Sequence, residues 1–183
     1  MLLKRSAFEP DYFEVWDGGE IITEIFAPFP ARYIPASFET IEHIHKWLRE
    51  TEWKLARNRT YRLLSMRPYS EKKMREKLFE RRFSKEVCDR LIDELKRLNY
   101  LQDSELAKAM ALRECKRGYG PRYISLKLRS KGLDPKGIDE WISREMQKEQ
   151  IEKLAKKFSD RKKAVQALLR RGFDSDLVIE ILH

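Results

Sequence analysis

The fold is decided by a stretch that ends one helix and begins another, GYGPRYISLKLRSKGLD at residues 118–134. Its last three residues combine a glycine, which tolerates the left-handed backbone past a helix end, an apolar residue, and an aspartate suited to capping the next helix. The same arrangement recurs fifty residues earlier at residues 82–84, with Arg82 in the glycine position, and forty residues later at residues 172–174. Three copies of one helix–turn–helix unit are therefore predicted.

Apolar residues keep the same distance from this turn in every copy. The positions nine and five residues before the apolar turn residue are occupied as follows: Met74 and Leu78, Ile124 and Leu128, and Ala164 and Leu168. A further helix is predicted before each pair, at Trp53–Met66, Asp103–Arg117 and Lys148–Phe158. Such units bury their apolar faces on one another, which predicts three tandem three-helix modules in an elongated array.

The N-terminal segment has a different pattern. Residues 12–16 and 21–26 are rich in β-formers and flank Asp17-Gly18-Gly19, which predicts a β-hairpin. A helix capped by Ser37 should follow, and another should run from about Thr51 to Met66. The connector between hairpin and helix is marked by three prolines: Pro28, Pro30 and Pro35.

The fold class is thus predicted as mainly α, an elongated array of three tandem three-helix modules with an N-terminal β-hairpin and helix. The predicted bounds are 1–50 for the hairpin and helix, then 51–100, 101–147 and 148–183 for the modules.

Charge is unevenly distributed along the chain. The net charge is +9, yet residues 1–50 hold five basic and nine acidic residues, whereas residues 51–183 hold 34 basic and 21 acidic ones. A basic body is attracted to a polyanion or to an acidic protein surface. Simple solubility is the alternative explanation.

The basic residues concentrate between residues 107 and 131, where only Glu114 opposes them. We predict that this segment contacts phosphates or the carboxylates of a protein partner, aided by the close backbone approach that Gly118 and Gly120 permit. A solvated helix face is the alternative. The candidate contact residues are Lys108, Arg113, Lys116, Arg117, Arg122, Lys127, Arg129 and Lys131.

Further basic residues are weaker candidates. Pairs such as Glu71 and Arg75 are typical of ordinary helix surfaces. Tyr119 and Tyr123 could stack on bases or contact a partner, although aromatic residues at helix boundaries usually close a core. The secondary candidates are Lys72, Lys73, Arg75, Lys77, Arg81, Arg170 and Arg171.

No catalytic, metal or cofactor site is predicted. His43 and His45 are two apart on a helix and face different directions, and no metalloprotease, phosphate-loop or dinucleotide motif occurs. Cys88 and Cys115 lack metal-site spacing and suggest packed thiols in a reducing compartment. No stretch approaches the length of a membrane helix. Together with the reduced thiols, this favours a cytoplasmic protein. Since no catalytic motif occurs, we expect a protein that is not an enzyme, and we expect it to be a monomer.

Over residues 60–182 the chain resembles the RecX family. The similarity lies in the order and spacing of short motifs: Ser65–Ser70, Tyr100–Asp103, Gly118–Gly120, Lys131–Leu133 and Arg170–Phe173. Three residues depart from the family pattern: Arg82, Gln102 and Lys127.

The resemblance implies a regulator that binds the nucleoprotein filament of the RecA recombinase in its helical groove. It would inhibit strand exchange, ATP turnover and SOS repressor cleavage. The alternative is a protein that binds single- or double-stranded nucleic acid directly, without RecA. Phosphate-driven binding of that kind weakens steeply with salt.

Overall fold

The computed structural model describes residues 1–29, 33–35 and 37–183, so Pro30 of the predicted connector lies outside the described residues. The mainly helical fold class with an N-terminal sheet is confirmed. The chain forms two compact units. Unit 1 comprises residues 1–67 and 74–97, and unit 2 comprises residues 68–73 and 98–183. The elongation of the array and its four-part division stay predictions.

The N-terminal sheet has three antiparallel strands: β1 (Leu2–Arg5), β2 (Tyr12–Asp17) and β3 (Glu20–Phe26), in that order. β2 and β3 are the predicted hairpin. β1 was not predicted, because its four residues lack the alternation that identifies a strand. Phe13, Val15 and Ile25 of the sheet share a buried cluster with Ile44 of the following helix.

That helix, α1 (Ile41–Met66), is continuous, so the prediction of two helices in this region is wrong. No proline or glycine interrupts it, and nothing else breaks its backbone hydrogen bonding near residue 50. Ser37 is not its cap, because its backbone pairs with Leu2 in an isolated bridge. Thr40 is the cap instead, and its hydroxyl accepts a hydrogen bond from the His43 amide at 3.3 Å.

Eight shorter helices follow along the described chain: α2 (Glu71–Phe79), α3 (Lys85–Arg97), α4 (Asp103–Lys116), α5 (Pro121–Ser130), α6 (Ile138–Trp141), α7 (Arg144–Ala155), α8 (Arg161–Arg170) and α9 (Ser175–Leu182). α7 begins four residues earlier than the predicted Lys148, because the Ser143 hydroxyl accepts from the Met146 amide at 3.2 Å and caps the helix there.

The three predicted turns adopt one geometry. Arg82, Gly132 and Gly172 have φ of 58°, 76° and 81°, the left-handed conformation of a helix C-terminal cap. In each copy the next amide reaches back to the carbonyl of the leucine five residues before it: Phe83 to Leu78 at 3.5 Å, Leu133 to Leu128 at 3.0 Å, and Phe173 to Leu168 at 3.3 Å. The predicted apolar positions are all buried: Met74, Leu78, Ile124, Leu128, Ala164 and Leu168.

Two of the three predicted N-caps after these turns are confirmed. The Ser84 hydroxyl accepts from Val87 at 3.4 Å, and the Asp174 carboxylate accepts from the amides of Asp176 and Leu177. Asp134 does not cap a helix, because the left-handed Gly137 lies in between and α6 starts only after it. The Asp134 carboxylate instead accepts from the Lys136 amide at 3.0 Å.

Candidate functional site

The basic segment of residues 107–131 comprises α4, α5 and the short connection between them, all in unit 2. Gly118 ends α4 with φ of 83°. Gly120 precedes α5, and its amide donates to the Arg171 carbonyl at 2.8 Å, while the Arg122 amide donates to the Gly172 carbonyl at 3.1 Å. The close backbone approach predicted at Gly120 therefore occurs within the chain, against the turn after α8. It also engages the Arg122 amide in the first turn of α5.

The contact between Gly120 and Gly172 leaves no room for a side chain. A Cβ atom on Gly120 would lie 2.4 Å from the Gly172 carbonyl carbon, and one on Gly172 would lie 2.3 Å from the Tyr123 amide nitrogen. Both neighbours are backbone atoms, which cannot rotate away. The start of α5 is consequently fixed against the end of α8.

The preceding copy makes an equivalent contact. The Ser70 hydroxyl donates to the Lys131 carbonyl at 2.6 Å, and a Cβ on Gly132 would lie 2.5 Å from Cβ of Lys72. Ser70 stands fifty residues before Gly120, and Lys131 stands forty before Arg171, so the two contacts join corresponding positions of the repeat. One geometry thus links successive copies within unit 2.

Glu114 organises three of the eight candidate residues. Its carboxylate is 1% exposed and lies 2.9 Å from the Lys127 ammonium, 3.2 Å from the Arg117 guanidinium and 3.7 Å from that of Arg113. Burial by itself would raise the pKa of Glu114, but these three cations outweigh it and hold the pKa below its usual value. The carboxylate is therefore ionised at neutral pH and ties α5 to α4.

Two tyrosines extend this cluster. The rings of Tyr119 and Tyr123 stack with centroids 4.2 Å apart. The Lys127 ammonium lies 5.7 Å from the Tyr123 centroid, and the Arg171 guanidinium lies 5.4 Å from that of Tyr119. Arg171 also donates to the Gly118 carbonyl at 3.2 Å. Both rings pack against the core around Ile124, so they serve chiefly to close that core.

The remaining candidates face water. Arg122 pairs with Asp174 at 3.3 Å, with both side chains about half exposed or more. Among the described residues, four candidates are exposed and make no ion pair: Lys108, Lys116, Arg129 and Lys131. These four residues, called the open basic set below, are the cations of the segment that are available to an anionic surface.

Three of the secondary candidates make contacts that the structure describes. Arg75 pairs with Asp89, and Lys77 with Glu80 at 2.6 Å. The Arg170 guanidinium donates to the Gln166 carbonyl at 3.3 Å. These contacts are of the kind that stabilises helix surfaces by small amounts. That any of the fifteen candidate residues contacts a partner stays a prediction.

Sequence reasoning did not single out Leu126. This side chain is 66% exposed on α5, between the exposed Arg122 and Arg129. The spacing of these three residues places them on one helix face, and that spacing was the available signal. An exposed leucine between arginines adds an apolar contact to a basic surface.

Within the part of the chain that the structure describes, no group of three or more His, Cys, Asp or Glu side chains is arranged to hold a metal ion. None of the described helices combines the length and apolar character that crossing a membrane requires. Cys88 and Cys115 are buried free thiols.

These features define a protein of tandem three-helix repeats with a basic middle copy and an N-terminal sheet. A sequence model described as the first three-helix domain of RecX matches residues 56–95. The regulatory protein RecX of Thermotoga maritima is 35% identical over 131 residues, which cover 69% of this chain and 81% of that protein. That of Legionella pneumophila is 30% identical and covers 66% and 87%.

Solved structures agree on the fold. RecX from Lactobacillus salivarius superposes with a TM-score of 0.66 over 73% of this chain and 96% of its own, at 24% identity. Another RecX regulatory protein gives a TM-score of 0.67 over 98% and 96%, at 20% identity. The chain belongs to the RecX family of regulatory proteins.

Proposed function

We propose that this chain is a negative regulator of RecA that binds the RecA–DNA filament, in its helical groove, as a cytoplasmic monomer without catalytic activity. Binding there inhibits strand exchange, ATP hydrolysis and SOS co-protease activity. Membership of the RecX family supports the regulatory role. The observation that carries the binding surface is the open basic set, which presents uncompensated charge on two consecutive helices.

The ion pairs of the basic segment hold some of its cations in place and leave others free to bind an anion. Glu114 holds Arg113, Arg117 and Lys127 by ion pairs, which stiffens α4 against α5. The open basic set has no such partner among the described residues. A nucleoprotein filament presents anions to the open basic set, both protein carboxylates and DNA phosphates. Electrostatic attraction between them speeds association.

Charge removal at the open basic set tests the proposal. The variant carries Lys108→Gln, Lys116→Gln, Arg129→Gln and Lys131→Gln. Arg117 and Arg122 are left intact, because their loss would disturb Glu114 and Asp174. A matched control removes four exposed cations of the same unit instead: Lys153→Gln, Lys156→Gln, Lys157→Gln and Lys163→Gln.

Co-sedimentation with RecA filaments and inhibition of RecA ATP hydrolysis are the measurements. We expect the open-set variant to bind and inhibit at least tenfold more weakly, while the control stays near the wild type. Equal loss in both variants would show that only net charge matters, and unchanged inhibition in the open-set variant would place the contact elsewhere.

Bare DNA separates the proposal from direct nucleic-acid binding. A RecA regulator should sediment with assembled filaments far better than with single or double strands over a series of salt concentrations. Tight binding to bare strands that falls steeply with salt, with no gain from RecA, contradicts the proposal and supports the alternative.

A further inference from the structure

A second basic site lies in unit 1, apart from every residue of the open basic set. A cavity of about 340 Å³ lies between α1, the turn after α2 and the segment that follows β3. This volume is within the range of small-molecule sites. Its walls combine three arginines with three aromatic rings: Arg59, Arg62, Arg81, Phe29, Tyr33 and Phe83.

The three guanidinium groups have no counter-charge among the residues that the structure describes. None of the described residues lining the cavity is acidic, and within the described chain the side chains of Arg59, Arg62 and Arg81 make no ion pair or hydrogen bond to another side chain. On the same helix, by contrast, Arg57 pairs with Glu94 at 3.3 Å.

The Arg59 side chain also has an unsatisfied donor. Its Nε atom is buried and has no hydrogen-bond partner in the described structure. A buried donor without an acceptor is rare and costs free energy unless a ligand, ion or water satisfies it. Arg59 and Arg62 stand three residues apart on α1, so their guanidinium groups can act on one anion from the same helix face.

The neighbouring cavity shows that this arrangement is specific. It has a volume of about 250 Å³ and shares Phe29, but its charged lining residues are Arg49, Glu52 and Arg82. Arg82 pairs with Asp11 at 2.6 Å, and Glu52 accepts a hydrogen bond from the Ser84 hydroxyl at 3.0 Å. Carboxylates thus compensate part of the positive charge there, whereas no described carboxylate lines the larger cavity.

We propose that the larger cavity binds a nucleoside phosphate, whose phosphate group is held by Arg59, Arg62 and Arg81 and whose base packs on the aromatic rings. Guanidinium forks match phosphate oxygens in geometry and charge, and bases stack on aromatic side chains without needing a particular sequence. The nucleotide is either a free mononucleotide or the phosphorylated end of a DNA strand, since both present the same chemistry.

Isothermal titration of the full chain with deoxyadenosine monophosphate tests the site, with inorganic phosphate and deoxyadenosine as partial ligands. The mononucleotide should bind at least tenfold more tightly than either part. The variant Arg59→Gln/Arg62→Gln should lose at least tenfold in affinity. The control Lys46→Gln/Lys54→Gln removes two exposed cations of the same helix and should bind as the wild type does.

Oligonucleotides with and without a 5′-phosphate identify the source. A preference for the phosphorylated strand that disappears in the arginine variant assigns the site to strand ends, and tighter binding of the mononucleotide assigns it to free nucleotide. Absence of binding by both ligands overturns the proposal. So does mononucleotide affinity equal to that of inorganic phosphate, or affinity unchanged in an arginine variant whose circular dichroism is that of the wild type.

Discussion

Replacing Gly120 with alanine tests the backbone contact that fixes the basic segment. Gly120 has φ of −87°, which any residue adopts, so the substitution introduces no backbone strain of its own. Its new Cβ would lie 2.4 Å from backbone atoms of Gly172 and Phe173. The effect of the variant is therefore a direct measure of how tightly the two chain segments meet.

The magnitude follows from three contributions. Forcing a methyl group against backbone costs about 1–3 kcal/mol. The hydrogen bonds of the Gly120 and Arg122 amides to residues 171 and 172 are weakened as the segments separate, at about 1 kcal/mol each. Alanine also reduces the conformational freedom of the unfolded chain, which stabilises the folded state by about 0.4–1 kcal/mol. The expected net loss is about 3 kcal/mol, a large part of the 5–15 kcal/mol typical of a domain.

Urea unfolding and amide hydrogen exchange measure this loss. The free energy of unfolding should fall by about 3 kcal/mol, and protection of the Arg122 amide should fall roughly a hundredfold, since 1.4 kcal/mol is a factor of ten. Gly18→Ala is the control, because Gly18 has φ of 58° with open space around it. Alanine there adds only backbone strain, which should lower stability by about 1–2 kcal/mol. A Gly120→Ala loss smaller than that of the control would refute the close contact.

Two further predictions concern buried groups. Glu114→Gln should cost about 3 kcal/mol at pH 7, the lower end for a broken buried ion pair because its partners are partly exposed. Since the folded pKa of Glu114 is lowered, its contribution to stability is complete above the ordinary glutamate pKa of about 4.3 and is lost as the pH falls through the folded value. Urea unfolding from pH 7 to pH 3 should thus show the variant approaching the wild type, and a constant difference would contradict this assignment. Burial raises the pKa of the Cys88 thiol to about 11 and also raises that of Cys115. Both should resist a disulfide reagent at pH 8 until urea unfolds the chain, and rapid reaction of one thiol in the native protein would show that its core opens locally.

The repeats were predictable because their signals are local. A glycine, an apolar residue and a capping side chain act within one turn of chain, so the geometry at Gly132 and Gly172 followed from neighbouring residues. The failures arose where distant residues decide. β1 forms because β2 offers it a partner, and Ser37 is drawn away from the helix start by Leu2.

The candidate site shows the same division. The concentration of positive charge between residues 107 and 131 is visible in the sequence, and the acidic exception Glu114 was noticed there. The burial of Glu114 and its ion pair with Lys127, thirteen residues onward, depend on how α4 packs on α5. Likewise Arg59 and Arg81 stand 22 residues apart and share a cavity only because three chain segments converge. Tertiary packing thus decides which cations are neutralised and which remain available.

The one departure in the repeated turn shows what the glycines are for. Arg82 holds the left-handed conformation as Gly132 and Gly172 do, at a strain of about 1–2 kcal/mol, and its side chain is 65% exposed. Gly132 packs against Lys72 of the first copy and Gly172 against Tyr123 of the second. Each of these glycines therefore meets the preceding copy, and the turn at Arg82 has no preceding copy to contact. Backbone conformation alone therefore tolerates arginine. Glycine is required where two copies meet, because a Cβ atom there would collide with the chain of its neighbour.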